Sequence, residues 1–302
     1  MLFSNPTAAQ TEAELHQLHQ VADQGFKRTV IQLPSSRYNR EELLNLFRIT
    51  DTKPIAFRAP RELTLGKAKN FNEEAWSYWF HTVASLYPDD AGHFICHGSA
   101  VTLGELFEFL DQRPRNFNAL HDYKTQYVET VIDQLKRLEA IARPLGIRLL
   151  LENAPMGAPA YFEPGKGRIC PALRTPRHLL RVTEATETRI CFDAAHARIT
   201  SNVFTYMHRS RSLFAAATEK EILNATRDWP QFYQQIKEQT AMVRLSYAVS
   251  WGDTPQSLHI PFPETAYPEL LEFAETLNPR IPVVLPSTTE KNLREMMKTF
   301  VN

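Results

Sequence analysis

Two segments carry acids at the ends of apolar runs. In GIRLLLENAP, Glu152 and Asn153 follow three leucines. A carboxylate in such surroundings is costly unless a cation pairs with it or a metal binds it. Glu152 therefore reads as the partner of an inward arginine, as a metal ligand or as a general base. In RICFDAAHARI, Asp193 and His196 stand three residues apart at a strand end. They could share a metal, or the acid could orient the imidazole for acid–base work. An aspartate capping the next helix, with His196 in a solvated loop, accounts for the pair as well. His97 closes GHFICH, and Gly98 and Ser99 form a turn that can offer backbone N–H groups to an anion. A lone histidine there is as readily structural. His259, in SLHIPFPE, reads on its own as a surface residue. Arg58 (PIAFRAP) and Arg244 (MVRLSY) sit late in two more apolar runs. A buried guanidinium must be paired. Its partners would be Glu152 and Asp193, or a carboxylate or phosphate on a substrate. Trp251 could wall a pocket.

The elements that must carry these residues alternate along the chain. Strand-like runs fall at 1–4, 28–33, 54–58, 92–97, 147–152, 189–193, 241–246 and 281–285. Each is apolar without clean alternation, as strands buried on both faces should be. Helical spacing is clearest over 118–143, which Pro144 and Gly146 end. Further helices are expected at 11–24, 39–49, 72–85, 174–185, 229–239, 266–277 and 289–300. Eight strands alternating with about eight helices predict a (β/α)8 TIM barrel, a single domain over residues 1–302. An open doubly wound sheet is the alternative. The longest connections, 60–71, 153–173, 194–217 and 247–265, all follow strands and would gather at the barrel mouth.

Composition narrows the class. The 302 residues contain 34 Lys+Arg and 34 Asp+Glu, a formal charge of zero that makes nucleic acid an unfavoured partner. Hydrophobic residues at 43% fit a globular chain, and no run reaches the ~20 apolar residues of a membrane span. The N-terminus lacks a signal-peptide pattern, and Cys96, Cys170 and Cys191 are too few and too scattered for a disulfide framework. The expectation is a cytoplasmic protein without a membrane partner; a homo-oligomer stays open. No G-x-G-x-x-G, P-loop, G-x-S-x-G or H-E-x-x-H occurs, so no nucleotide cofactor is expected.

The order LLLEN, ICFDAAHA, then a strand and a loop ending in H-x-P resembles the xylose isomerase-like TIM-barrel superfamily. That group includes sugar epimerases and isomerases, inosose dehydratase-like enzymes and endonuclease IV. The resemblance implies that Glu152 and Asp193 correspond to metal ligands. His196 matches a histidine that binds substrate in epimerases and metal in endonuclease IV. His97 matches a further endonuclease IV histidine, and His259 the histidine of the seventh-strand loop. Other positions depart from the pattern. Arg58 and Arg244 stand where the family has ligand histidines, Tyr247 and Ser257 where it has acids, and Pro286 where it has the eighth-strand glutamate. Added guanidinium charge weakens cation binding and favours an anion, or replaces the metal by pairing with the acids.

The resemblance thus implies an isomerase, epimerase or lyase of carbohydrate metabolism acting on a small polar, anionic sugar-like or oxo-acid substrate. A reduced site would hold one divalent ion (Mn, Co, Zn or Mg) on Glu152 and Asp193 with His97 or His196. Glu152, His196 and His259 would be catalytic, and Arg58, Arg244, Asn153 and Trp251 would bind substrate. The alternatives are a metal-independent barrel, either a binding or scaffold protein or a His/Arg-based enzyme, and an endonuclease IV-like zinc phosphodiesterase.

Overall fold

Short apolar runs that are buried on both faces must pair in parallel and be covered by helices. The computed structural model describes residues 10–23, 26–87, 92–163, 167–210 and 215–286. Its barrel strands are β1 (Gln10–Glu14), β2 (Arg28–Gln32), β3 (Lys53–Arg58), β4 (Gly92–Cys96), β5 (Ile147–Glu152), β6 (Arg189–Asp193), β7 (Thr240–Arg244) and β8 (Val283–Leu285). All neighbours are parallel, and β8 pairs with β1 to close the barrel.

Alternation along the strands separates two cores. Val30, Ala56, Ile95, Leu150, Cys191, Met242 and Val284, one from each of β2 to β8, pack together inside the barrel. Their strand neighbours Ile31, Phe57, Phe94, Leu149, Leu151, Phe192 and Val243 join the outer core against the helices. Side chains two residues apart share a face. The next inward positions are therefore Gln32, Arg58, His97, Glu152, Asp193, Arg244 and Pro286. Apart from Gln32 and Pro286, every one is ionisable, so the apolar plug ends where the mouth begins.

Two expectations about elements need correction. The segment 11–24 is not one helix. Its start is β1, followed by a 3-10 turn at Leu15–Gln17 and a short helix at Leu18–Asp23. Thr11 and Ala13 are buried, and Gln10 to Glu14 pair residue for residue with Arg28 to Gln32. The helix-favouring composition QTEAE gave way to barrel closure, because tertiary pairing overrides propensity. The expected strand at 1–4 and helix at 289–300 lie outside the described residues. The supposed loop 194–217 begins as a helix, Ala194–Ser210, with ten buried residues. A further helix, Leu103–Asp111, starts at a capping box between Thr102 and Glu105 that the sequence T-L-G-E encodes.

The mouth loops are tied down. Val101–Thr102 pairs with Arg168–Ile169, and Tyr247–Ala248 with Leu258–Ile260. Under the first loops lies Tyr127 of the helix Ala119–Ala142, its hydroxyl 3.1 Å from the Leu65 carbonyl and 2.9 Å from that of Ser99. Gly66 and Gly98 make room for it: a Cβ would lie 2.3 Å from the Tyr127 ring at Gly66 and 2.7 Å from its hydroxyl at Gly98. Tyr127→Phe is expected to cost about 1–2 kcal/mol in urea unfolding. Gly66→Ala should cost more, since its φ of +98° adds backbone strain to the clash.

Candidate active site

The β1 strand contributes a residue that sequence reasoning missed. Glu12 enters the mouth beside the arginines of β3 and β7. Arg58 donates from Nη1 to Glu12 Oε1 at 3.2 Å and from Nη2 to Glu152 Oε2. Arg244 donates from Nε and Nη2 to Glu12 Oε2 at 2.7 and 2.6 Å. Its Nη1 bridges Glu152 Oε1 and, at 2.6 Å, Asp193 Oδ2. Asp193 and Arg244 are also direct register partners across β6 and β7. The outcome is one network of three carboxylates and two guanidiniums. Of the pairings open to Arg58 and Arg244 in the sequence, the internal one is formed.

Burial makes the network obligatory. Glu152 and Asp193 are almost fully inaccessible. Burial alone would push the carboxyls of Glu12 and Glu152 up, but Arg244 and Arg58 together outweigh it and hold both below the ordinary value. Desolvation likewise works against the Arg244 charge, yet Glu12, Glu152 and Asp193 keep that guanidinium firmly protonated.

Three histidines surround the network. His196 lies in the first turn of the helix Ala194–Ser210, and Asp193 Oδ1 accepts its backbone N–H at 2.9 Å. The helix-capping role is thus real, but His196 is buried and not a solvated loop residue. Its Nδ1 donates to the Asn153 carbonyl at 2.8 Å. The Asn153 side chain is spent on the Asp193 backbone, accepting from its N–H at 2.6 Å and donating to its carbonyl at 3.0 Å. Asn153 therefore positions Asp193 and His196 at once. His259 sits on the Leu258–Ile260 ribbon with a left-handed φ of +55°, its Nδ1 3.0 Å from Ser246 Oγ. The His196 and His259 rings are 5.1 Å apart between centres. Burial, then Arg244, pushes His259 well below its usual value, so it is neutral. His97 is lowered to about 4 by burial and then Arg58. Its Nε2 lies 3.3 Å from the Arg61 carbonyl, and its buried Nδ1 has no partner among the described residues.

A cavity of about 680 Å³ opens over this floor, lined by Glu12, Arg58, His97, Arg244, His259 and Pro286. Trp251 stacks on Phe162 (5.9 Å between ring centres) and meets Tyr206 edge-on in the loop wall. It is not among the described residues lining this cavity. The ribbon that carries His259 is held by Arg198, which donates to the Ala248 carbonyl at 3.1 Å and to the Tyr247 hydroxyl at 2.6 Å.

The fit of a divalent ion can be tested on these contacts. Both oxygens of Glu152 are taken by arginines. Asp193, His196 and His259 could each turn one donor atom to a shared point, the three lying within 4.8 Å of one another. However, Asp193 Oδ2 already holds Arg244. A divalent ion about 4 Å from that guanidinium would be repelled by about 8 kcal/mol at an effective dielectric near 20. The ligand set expected on Glu152 and Asp193 with His97 or His196 does not fit an ion while the arginines stay paired.

Removing Glu12 should loosen the network. Glu12→Gln is expected to destabilise the fold by about 3 kcal/mol, because Arg58 and Arg244 lose a buried partner. The pH dependence has a definite sign. The carboxyls of Glu12 and Glu152 titrate lower folded than unfolded, so their contribution is complete above the ordinary value of 4.5 and is lost as pH falls through their folded values. Chemical unfolding from pH 7 down to pH 3 should show this loss, and Glu12→Gln should flatten it.

No family model and no curated protein matches this sequence. Solved structures do. A D-tagatose 3-epimerase-like protein superposes with a TM-score of 0.61 at 13% identity, covering 96% of this chain and 95% of its own. The IOLI protein with a bound zinc atom gives 0.58 at 13% identity, over 97% and 96%. An AP endonuclease, family 2, from Brucella melitensis gives 0.57 at 13% identity, over 96% and 98%. Identities this low carry the fold and not the chemistry. This chain has a closed eight-stranded parallel barrel, the fold it shares with these solved structures.

Proposed function

We propose that the mouth binds a small neutral polyhydroxylated ligand, sugar-like in size and polarity, without a divalent ion, and that Arg58 and Arg244 hold the place of that ion. The observation that carries this reading is Arg244 Nη1, which bridges Glu152 and Asp193, the two acids a shared metal would need. A guanidinium supplies the positive charge such acids require, but as fixed N–H donors that cannot exchange for substrate oxygens. The charge tally also bears on the ligand. Three carboxylates face two guanidiniums, with His97 and His259 neutral. A floor with one surplus negative charge favours a neutral polyol over an anionic substrate, and it repels the phosphodiester that an endonuclease-like reading requires.

The histidines supply the polar directions. The neutral imidazole of His259, in the cavity wall, can accept from a ligand hydroxyl. His97 lines the same cavity, though its Nδ1 is buried. Proton transfer on a bound ketose or aldose would use the neutral His259 as base, its imidazolium returning a proton to the same carbon, with the His196 ring 5.1 Å away between centres. A second reading rests on the remaining convergence of Asp193, His196 and His259, which would make a three-donor metal site if Arg244 swung away.

Metal analysis separates the two. Protein purified without chelator, then soaked with manganese, cobalt or zinc and desalted, is expected to retain well under one ion per chain. One ion per chain that disappears in His196→Ala and His259→Ala would establish the metal reading instead. For the ligand, hydrogen–deuterium exchange at carbons next to the carbonyl of unphosphorylated ketoses is the assay. His259→Gln is expected to lower the exchange rate by about 100-fold. The wild-type rate should stay flat between pH 6 and pH 8, because the lowered His259 is already fully deprotonated there.

A further inference from the structure

Away from the mouth, a second cavity of about 630 Å³ lies between the helices Ala119–Ala142, Pro176–Ala185 and Glu219–Leu223, with Thr125, Thr175, Arg177, His178, Lys220 and Glu221 in its wall. Behind Glu221 are two buried cations. Lys124 Nζ donates to Glu221 Oε2, and Arg174 Nη2 lies 3.3 Å from Glu221 Oε1, their side chains 2% and 0% exposed. Arg174 also donates to the carbonyls of Ala215 at 2.6 Å and Ala216 at 3.3 Å, while its buried Nε has no partner among the described residues. One carboxylate thus serves two buried cations, which leaves a positive charge without a counter-ion where such charge is most costly.

The cavity wall adds to this excess. Arg177 and Lys220 are exposed, and Glu184 is the other carboxylate in the wall, while Arg181 is engaged by Glu129. The positive end of the helix Pro176–Ala185 opens here, with Thr175 as an N-cap residue that makes no side-chain cap. We propose that this cleft is a binding site for a small ligand bearing a dianionic oxyanion, which supplies the counter-charge that Glu221 alone cannot.

Lys124 makes the site responsive to pH. The groups acting on it are Arg174, Glu221 and the Cys170 thiol, with the His178 ring nearby. Burial, then Arg174, lowers Lys124 to about 7, whereas Glu221 is held at about 2 and burial keeps His178 neutral, at about 4. Above pH 7 the cluster relieves its surplus charge by shedding the Lys124 proton. A bound dianion holds that proton in place, so binding at pH 8 takes up a proton and binding at pH 6 does not.

Calorimetric titration with sulfate, whose charge is constant over this range, tests the proposal. The expected result is one saturable site per chain, about tenfold weaker at pH 8 than at pH 6. Proton uptake should show at pH 8 as a heat that depends on the buffer. Arg177→Ala/Lys220→Ala changes only exposed side chains and should weaken binding by about tenfold or more. Lys124→Met leaves Glu221 paired with Arg174 alone, and should weaken binding and abolish both the uptake and the pH dependence. The proposal is overturned if no saturable binding occurs, if the Arg177/Lys220 variant binds as the wild type does, or if the uptake persists in Lys124→Met.

Discussion

Three carboxylates cannot be buried at the mouth of a barrel without positive charge among them. Glu12, Glu152 and Asp193 meet this constraint with Arg58 and Arg244, and the geometry of the mouth follows from how those charges are shared. Arg244 touches acids from β1, β5 and β6, and Arg58 touches acids from β1 and β5. The network therefore links strands that are not neighbours across the barrel. Desolvating five charges offsets much of their attraction, so the network is costly to break without being a large net source of stability. His259 and His97 take their states from burial and the same charges. His259 is neutral because it is buried and near Arg244, and His97 because it is buried and near Arg58.

The barrel interior explains why these particular residues meet. An apolar layer from Val30 to Val284 fills the centre, and the next inward position after each of its residues is the strand's last residue or the first beyond it. At that level Gln32, Arg58, His97, Arg244 and Pro286 line the cavity, while Glu152 and Asp193 are buried beside them. Asn153 then couples two strand ends, holding the Asp193 backbone with its side chain and His196 with its carbonyl. The Asn153 side chain and carbonyl thus fix directions that the long arginine side chains alone would leave loose.

Much of this was legible in the sequence, for identifiable reasons. LLLEN and ICFD place acids after runs that can only be buried strands, so Glu152 and Asp193 had to be paired or ligated. Arg58 and Arg244 were readable as their partners for the same reason. Glu12 was not. Its strand, QTEAE, has a charged residue at its inward position, and its outward-facing positions, Thr11 and Ala13, are small. The alternation that marks a strand is erased where function places a charge inside. The helical reading of 11–24 followed, and with it the third carboxylate was lost. His196 as a buried first-turn residue was hidden likewise, because ICFDAAHA runs from strand to helix with no loop between.

In the proposed reading, Arg58 and Arg244 stand in place of a cation. Cobalt(II) titration of Arg244→Gln beside the wild type, followed by its visible absorption, tests this most directly. Losing Arg244 leaves Glu12, Glu152 and Asp193 around His196 and His259 with one guanidinium fewer. The account predicts that the folded variant binds cobalt at least about 100-fold more tightly than the wild type, since removing a cation a few ångströms from the ion is worth several kcal/mol. It also predicts that cobalt raises the melting temperature of the variant alone. Equal cobalt affinity in the two folded proteins, whether both tight or both absent, would contradict it.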